Sequence, residues 1–422
     1  MRWYVLVFLF FTMAINFADK SIIGYAAESI MSEFNLTYTQ WGLIGSSFFW
    51  LFSISGILGA AWSDRIGTKK IIAVMLASWS ILQFGAFAIA GLPMLVAYRV
   101  LLGIGEGPFA PTAISHVSKW FKPESRGMAI SIVNAGSMLG TLASAPILVM
   151  LIEKFGWRIG FASLGLLSVV FLIIWMLLPE THSLKVDVNH VKLAPPKFAW
   201  SEFFVILRSP TCLFTLLAAF SGVWLTMWLG LWMPSYLTKV VEMKPMQMGY
   251  TALIIGIGSV IVSVFISTLS DRLYKKNHNF RTSRIYFAGI SLIVAGMFLA
   301  SITIFHSPIW ITIALSMAKG FAYTILAISP QVLMQLLPDR SGLMTSLGTS
   351  FMNIAGMIGP VITGVLVQSA GENVSLGFAY SILLAAGLLL IFGILFSIFV
   401  KPDTGLCYSN ELIDKKAKTS TS

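Results

Sequence analysis

The chain carries little charge. Of its 422 residues only 11% are Asp, Glu, Lys or Arg, against about 25% in an ordinary soluble domain. That scarcity excludes a water-soluble globular protein of this length, whose surface would hold too few ionised groups. Cysteine is nearly absent. Cys212 and Cys407 stand far apart, which excludes a disulfide framework and a thiolate zinc site. The five histidines lie at the ends of apolar runs or between them, so no relay of intramembrane histidines is expected. There is no glycine-rich phosphate loop, no clustered catalytic group and no long polar signalling segment. The reading is therefore not an enzyme, and it calls for no metal and no organic cofactor.

What the chain has instead is hydrocarbon. It is 57% hydrophobic, with a mean hydropathy of +0.85. This composition belongs to an all-α polytopic membrane protein. Twelve apolar segments are long enough to cross a bilayer, which takes about 20 residues: 3–26, 39–61, 71–91, 93–116, 127–151, 157–178, 210–236, 247–269, 284–305, 308–333, 343–368 and 375–399. The first opens with Met-Arg, lacks a small-residue cleavage site and contains Asn16, Asp19 and Lys20, so it reads as a retained span. The polar interruption 179–209, with Pro179, Pro195 and Pro196, divides the chain. The expected organisation is a six-helix bundle at 1–178, a cytoplasmic linker at 179–209, a second six-helix bundle at 210–400 and a cytoplasmic tail at 401–422.

The net charge of +11 is set by orientation in the membrane, not by nucleic acid. With both termini inside, the outer segments hold Lys154, Arg158, Lys239 and Lys244, and the spans hold Lys20, Arg99 and Lys319; the other 21 of the 28 basic residues fall inside. The positive-inside rule then predicts a multi-pass plasma-membrane protein with cytoplasmic termini. The halves repeat. Ser63-Asp64-Arg65-Ile66 follows span 2, and Ser270-Asp271-Arg272-Leu273 follows span 8. Pro123-Glu124-Ser125-Arg126-Gly127 precedes span 5, and Pro338-Asp339-Arg340-Ser341-Gly342 precedes span 11. Matches at equivalent places point to a duplicated six-span unit, an arrangement that sets a transport site near mid-membrane between repeats.

The stretch Tyr98–Pro111, YRVLLGIGEGPFAP, carries Arg99 and Glu106 inside an apolar run. Seven residues are about two helical turns, so both share one face. Gly103 and Gly105 between them would let a neighbour approach closely. Five charges lie within spans: Asp19, Lys20, Arg99, Glu106 and Lys319. Left unpaired at roughly 3 kcal/mol each, they would cost about 15 kcal/mol, more than typical net stability. They must pair with one another or face a water-filled pathway. Two acids against three bases leave one positive charge, which an organic anion would balance. Buried carboxylates are also the groups that take a proton most readily near neutral pH, and the fork of Arg99 suits a carboxylate or phosphate. A salt-bridge network that only holds helices together is the bland alternative.

Three motifs carry a family resemblance. The first span reads Asn16-Phe-Ala-Asp19-Lys20, the fourth Arg99-Val-Leu-Leu-Gly103-Ile-Gly-Glu106-Gly-Pro108, and the loop after it Ser118-Lys-Trp120-Phe121-Lys-Pro123-Glu-Ser-Arg126-Gly127. Together they resemble the anion:cation symporter family of the major facilitator superfamily, bacterial sugar-acid importers and vesicular anion transporters. The resemblance implies the major facilitator fold. It implies proton coupling at Asp19 and Glu106 and substrate carboxylate binding at Arg99. Asn353, in Met-Asn-Ile-Ala-Gly-Met-Ile-Gly-Pro, matches an asparagine that contacts substrate hydroxyls in that family. The stretch WSDRIGTKK resembles the superfamily's cytoplasmic loop signature, which assigns gating to Asp64 and Arg65. The chain departs from the family where Lys20 replaces arginine, Phe52 replaces tyrosine, Ala60 replaces glycine and Thr68 replaces arginine.

Further candidates come from the second half. Lys20 and Lys319 are expected to add cationic contacts to substrate; snorkelling or local pairing is the alternative for Lys319. Tyr323, Ser329 and Gln331 are weaker polar candidates on the same span as Lys319. Trp224, Trp228 and Trp232 recur every four residues, as packing or interfacial residues or as a sugar platform. Pro146 and Gly359-Pro360 mark expected bends. The function expected is proton-coupled import of a small organic anion such as a hexonate, hexuronate or glucarate, by a monomer in the lipid bilayer. An exchanger of organic anions or organophosphate is the alternative, with a membrane sensor or an efflux pump further behind.

Overall fold

The computed structural model describes residues 2–178 and 206–401. Most of the predicted linker and all of the tail beyond Lys401 lie outside the described residues. Every regular element among them is helical. The first half comprises α1 (Arg2–Tyr25), α2 (Ala27–Glu33), α3 (Tyr38–Ser47), α4 (Phe52–Ile66), α5 (Thr68–Gly85), α6 (Leu92–Glu106), α7 (Phe109–Trp120), α8 (Pro123–Phe155) and α9 (Trp157–Leu177). The second comprises α10 (Pro210–Leu231), α11 (Met233–Lys239), α12 (Pro245–Asn277), α13 (Phe287–Ser301), α14 (Pro308–Leu336), α15 (Ser341–Ser369) and α16 (Val374–Phe399).

Eleven of the predicted spans are present as segments long and apolar enough to cross a membrane, among the described residues. The twelfth, predicted at 93–116, is α6 followed by α7, broken at Gly107-Pro108. Pro108 lacks an N–H and its ring clashes with the carbonyl four residues earlier, so the helix stops and restarts. The second span is also interrupted, by turns at 48–51 between α3 and α4. A π-helical turn over Arg281–Tyr286 leads into α13. Large apolar side chains such as Ile81, Leu177, Phe265 and Ile309 are exposed, as lipid-facing residues are in a chain of this composition.

The two Asp-Arg tripeptides are helical and not loops, which corrects the sequence expectation. Ser63–Arg65 closes α4, and Ser270–Arg272 lies inside α12, which runs on to Asn277. No glycine or proline interrupts either before Gly67, with φ +102°, or His278, with φ 48°. In the second copy Arg284 pairs with Asp271 at 2.6 Å and donates to Ser270 Oγ at 3.1 Å.

The described helices form two compact units. Among the described residues, one holds 2–178 together with 227–256 and 356–378; the other holds 206–226, 257–355 and 379–401. The first unit has an aromatic-rich core of Leu9, Trp79, Phe109, Phe121 and Trp175, with Phe8 stacked on Trp175 at 4.9 Å. Glycine lets α1 and α8 touch: a Cβ on Gly140 would lie 2.0 Å from the Ala14 carbonyl oxygen, and one on Gly136 2.1 Å from that of Phe10. Residues from the predicted outer segments meet one another. Arg158 pairs with Glu33 at 2.7 Å, Trp157 donates to Glu33 at 2.7 Å, and Lys239 pairs with Glu28. The Arg158 hydrogen bond holds the Glu33 carboxyl below the usual carboxylate range.

Residues from the predicted inner ends meet likewise. The His116 imidazole, buried in α7, lies 2.8 Å from Thr68 Oγ1, and the Trp120 indole donates to its Nε2 at 3.0 Å. An indole N–H only donates, so Nε2 is the acceptor and the ring is neutral. Trp175 donates to the Lys69 carbonyl at 2.9 Å, and Lys69 reaches the Leu178 carbonyl. The second unit has a smaller core of Ile206, Cys212, Leu216, Leu333, Leu336 and Met344.

Candidate functional site

Four of the five predicted intramembrane charges converge within the first unit. Asp19 and Lys20 come from α1, Arg99 and Glu106 from α6. Asp19, Arg99 and Glu106 are buried, while the Lys20 side chain keeps 23% of its surface exposed. Arg99 and Glu106 share one helix face, as their spacing predicts. Glu106 is the last residue of α6, where the helix dipole is negative and nearby cations are stabilising. Lys20 supplies one, its Nζ 3.5 Å from Glu106 Oε2.

The close approach of spans that builds the site rests on small residues. A Cβ on Gly103 would lie 2.0 Å from the Phe48 carbonyl oxygen, and one on Gly107 2.3 Å from that of Phe52. The interruption between α3 and α4 therefore sits against α6, and it turns Phe48 to the site: the Arg99 guanidinium lies 4.6 Å from the Phe48 ring centroid. The Lys20 ammonium lies 4.5 Å from the ring of Phe17 and 5.2 Å from that of Phe52. Such cation–π contacts offset part of a cation's lost hydration. Phe52 thus serves Lys20 without the hydroxyl of the tyrosine it replaces.

Three polar residues outside the predicted set complete the site. Asn16 donates to Glu106 Oε2 at 2.9 Å and accepts from Lys20 Nζ at 2.8 Å. Tyr98 donates to Gln83 Oε1 at 2.9 Å. The Gln83 amide, with Lys20, Arg99 and Glu106, lies within electrostatic reach of Asp19. Amides and hydroxyls are tolerated widely in membrane helices, so nothing in the sequence singles out Gln83 or Tyr98. The signal available for Asn16 was its one-turn spacing from Lys20.

Several buried polar atoms of the cluster have no hydrogen-bond partner: both oxygens of Asp19, Oε1 of Glu106, Nε and Nη1 of Arg99, and Nε2 of Gln83. Unpartnered buried groups are costly and call for a ligand, a water or a functional role. A carboxylate or phosphate oxygen satisfies the arginine donors. A proton satisfies a carboxylate oxygen.

The remaining predicted residues lie in the second unit or away from this cluster. Lys319 is half-buried on α14 and makes no ion pair among the described residues. Tyr323, one turn on, is exposed. Gln331 donates to the Ala327 carbonyl of its own helix at 3.0 Å. Ser329 is fully buried and its hydroxyl has no partner. Asn353 is half-buried on α15 and already has a partner. Arg65 is exposed at the end of α4, and the Asp64 side chain lies outside what is described. Trp224, Trp228 and Trp232 are all buried. Trp224 packs on Phe220 at 5.6 Å, Trp228 on Tyr236 at 5.8 Å and Trp232 on Phe378 at 6.1 Å, which fits the packing reading of that stripe.

Comparison with known proteins agrees with this architecture. Residues 9–340 match the family described as the Major Facilitator Superfamily. The hexuronate transporter of Bacillus subtilis (strain 168) is 29% identical over 419 residues, covering 95% of each chain. A probable galactarate/D-glucarate transporter of Escherichia coli (strain K12) is 26% identical, covering 88% of each. Among solved structures, a D-xylose–proton symporter superposes with a TM-score of 0.76 at 16% identity, covering 96% of this chain and 99% of that one. A bacterial homologue of the lysosomal transporter Spinster gives 0.78 at 21% identity, covering 95% and 97%. With twelve apolar spans, a broken fourth span and this match over most of its length, the chain belongs to the major facilitator superfamily of multi-pass membrane transporters.

Proposed function

We propose that the protein imports a small organic anion, a sugar acid of the hexuronate or glucarate type, in symport with protons. The observation that carries this reading is the buried four-charge cluster with its unspent donors on Arg99. With Asp19 and Glu106 ionised against Lys20 and Arg99, the cluster is neutral, and bringing in an anion would leave a net negative charge in a low-dielectric interior, which is costly. Each proton taken by a carboxylate adds one positive charge. A substrate carboxylate cancels it. The proton and the anion therefore each favour the other's binding, the reciprocal coupling that symport requires.

In this scheme a proton reaches Glu106 or Asp19 from outside and weakens the hold of the acids on Lys20 and Arg99. The Arg99 guanidinium receives the carboxylate at one of its unpartnered donors, Nε or Nη1. Asn353, Lys319 and the other polar groups of α14 are the proposed contacts for the rest of the substrate, and Asp64 and Arg65 remain the proposed cytoplasmic gate. The balanced site permits the change of access, and release of both ligands inside restores the internal pairing. The similarity to transporters named for hexuronate and for galactarate/D-glucarate supports the substrate class.

The test is uptake of labelled D-glucuronate, D-galacturonate and D-glucarate into proteoliposomes, with and without an inward proton gradient. The expected result is accumulation of at least one of them only with the gradient. Uptake that ignores the gradient and requires an anion inside would replace symport with exchange.

A further inference from the structure

We propose that Asn16 is a positioning residue of this site: its amide holds Oε2 of Glu106 against Lys20 and so leaves Oε1 as the atom that takes the transported proton. The inference rests on the proton-coupled reading above and deepens it. Asn16 is itself buried and lies one helical turn before Lys20 on α1. Its two amide ends do different work. Nδ2 donates to Glu106 Oε2 at 2.9 Å, and Oδ1 accepts from Lys20 Nζ at 2.8 Å. An ammonium only donates and an ionised carboxylate only accepts. A side chain that joins them at hydrogen-bond distance must offer one acceptor and one donor, and an amide does so in a fixed orientation.

The consequence is an asymmetry between the two oxygens of Glu106. Oε2 has the Asn16 donor and the Lys20 charge at 3.5 Å. Oε1 is buried and has no partner. An arriving proton therefore forms its O–H bond on Oε1, and the carboxylate's negative charge is lost. Oε2, now a carbonyl oxygen, still accepts from Asn16, so the side chain keeps its place while its attraction for Lys20 falls. Lys20 remains tied to Asn16 Oδ1 and does not swing away. Asn16 also keeps the ammonium at 3.5 Å from the carboxylate, beyond the roughly 2.7–2.9 Å of a direct charge-assisted bond. A direct Lys20–Glu106 bond would have to be broken at every protonation.

The charged and titratable groups that face Glu106 are Lys20 and Asp19 from α1 and Arg99 and Tyr98 from its own helix. From α4 the neighbour of Lys20 is the uncharged ring of Phe52. Asn16 is thus the neutral hydrogen-bonding group through which a change on α1 reaches Glu106 without altering the charge count.

Asn16→Asp keeps the shape and the acceptor for Lys20 but replaces the donor to Glu106 with a negative oxygen. The pH profile of proton-driven D-glucuronate uptake in proteoliposomes is expected to move its alkaline limb upward by about one unit. Made in a Glu106→Gln background, which has no driven uptake, the same change is expected to leave the pH profile of D-glucuronate exchange unmoved. Asn16→Ser, too short to reach both partners, tests the same point without a new charge. Its driven uptake is expected to fall roughly tenfold, a larger loss than that of D-glucuronate exchange at equal pH. A profile that stays in place in Asn16→Asp, a shift that survives Glu106→Gln, or equal losses of exchange and driven uptake in Asn16→Ser would each overturn the assignment. If Asn16→Asp does not fold, Asn16→Ser decides alone. A parent protein that shows no proton-driven uptake removes the symport reading and this inference together. A proton-driven parent with unmoved variants removes this inference alone.

Discussion

The two units handle their polar residues in opposite ways. In the first, two acids and two bases cluster, Asn16 bridges Glu106 and Lys20, and aromatic rings cover both cations. In the second, Lys319 sits in α14 with no ion pair among the described residues, and the other candidates, Tyr323, Gln331 and Asn353, are neutral. Two helical units of one chain need not be chemically equal. A group that must gain and lose a proton needs counter-charges around it, or its change of state would be too costly inside a membrane. A surface that recognises hydroxyls needs neutral donors and acceptors. On the proposed reading, energy coupling falls to the first unit and substrate discrimination to the second.

The strongest way to break that contrast is Glu106→Gln. Its loss of charge is expected to abolish proton-driven accumulation while exchange at equal pH continues; accumulation at the parental level would move coupling elsewhere. Arg99→Lys comes next. It keeps the charge and loses the fork, so the apparent KM for D-glucuronate is expected to rise roughly 10–100-fold, the equivalent of losing about 1.5–3 kcal/mol from a charge-assisted bond. Lys319→Met sharpens the comparison from the other side. A cation acting at longer range predicts a KM increase of a few-fold with the pH profile unmoved, and a changed profile would give the second unit a share in coupling.

Gly103→Ala tests the architecture and not the chemistry. The added Cβ would meet the Phe48 carbonyl oxygen at 2.0 Å, so α3 and α6 must separate, with a stability loss of about 1–3 kcal/mol read as a lower melting temperature in detergent. The smallest effect is expected at Glu33. Its carboxyl is held below the usual range by Arg158, so its contribution is present above the unfolded value of about 4.3 and is lost as pH falls through the lower folded value. Because the side chain is 38% exposed, solvent screens the pair. Glu33→Gln is expected to cost at most about 0.5 kcal/mol at neutral pH and progressively less as pH falls through the lowered folded value.

Much of this was readable in the sequence because a charge inside a membrane span is expensive and therefore rare. Asp19, Lys20, Arg99 and Glu106 stood out for that reason, and helical spacing placed Arg99 and Glu106 on one face. Gly103 announced the close approach of a neighbour, and Pro108 marks the break that ends α6 at Glu106. The parts that stayed hidden are those whose residues are cheap. Asn16, Gln83 and Tyr98 look ordinary until folding joins spans that are distant in the chain. The interruption at Phe48–Leu51 has neither glycine nor proline to signal it, although it is what brings an aromatic ring to Arg99. His116 fell at a span end as expected, but only the fold shows it buried between Thr68 and Trp120.

The central claim is that taking up the anion and taking up a proton are one event at one cluster. It is tested most directly by proton movement on substrate addition: D-glucuronate is added to lightly buffered proteoliposomes without any imposed gradient, and the external pH is recorded. The account predicts an immediate external alkalinisation that is collapsed by a protonophore and absent in Glu106→Gln. Labelled D-glucuronate that enters with no change in external pH would contradict it.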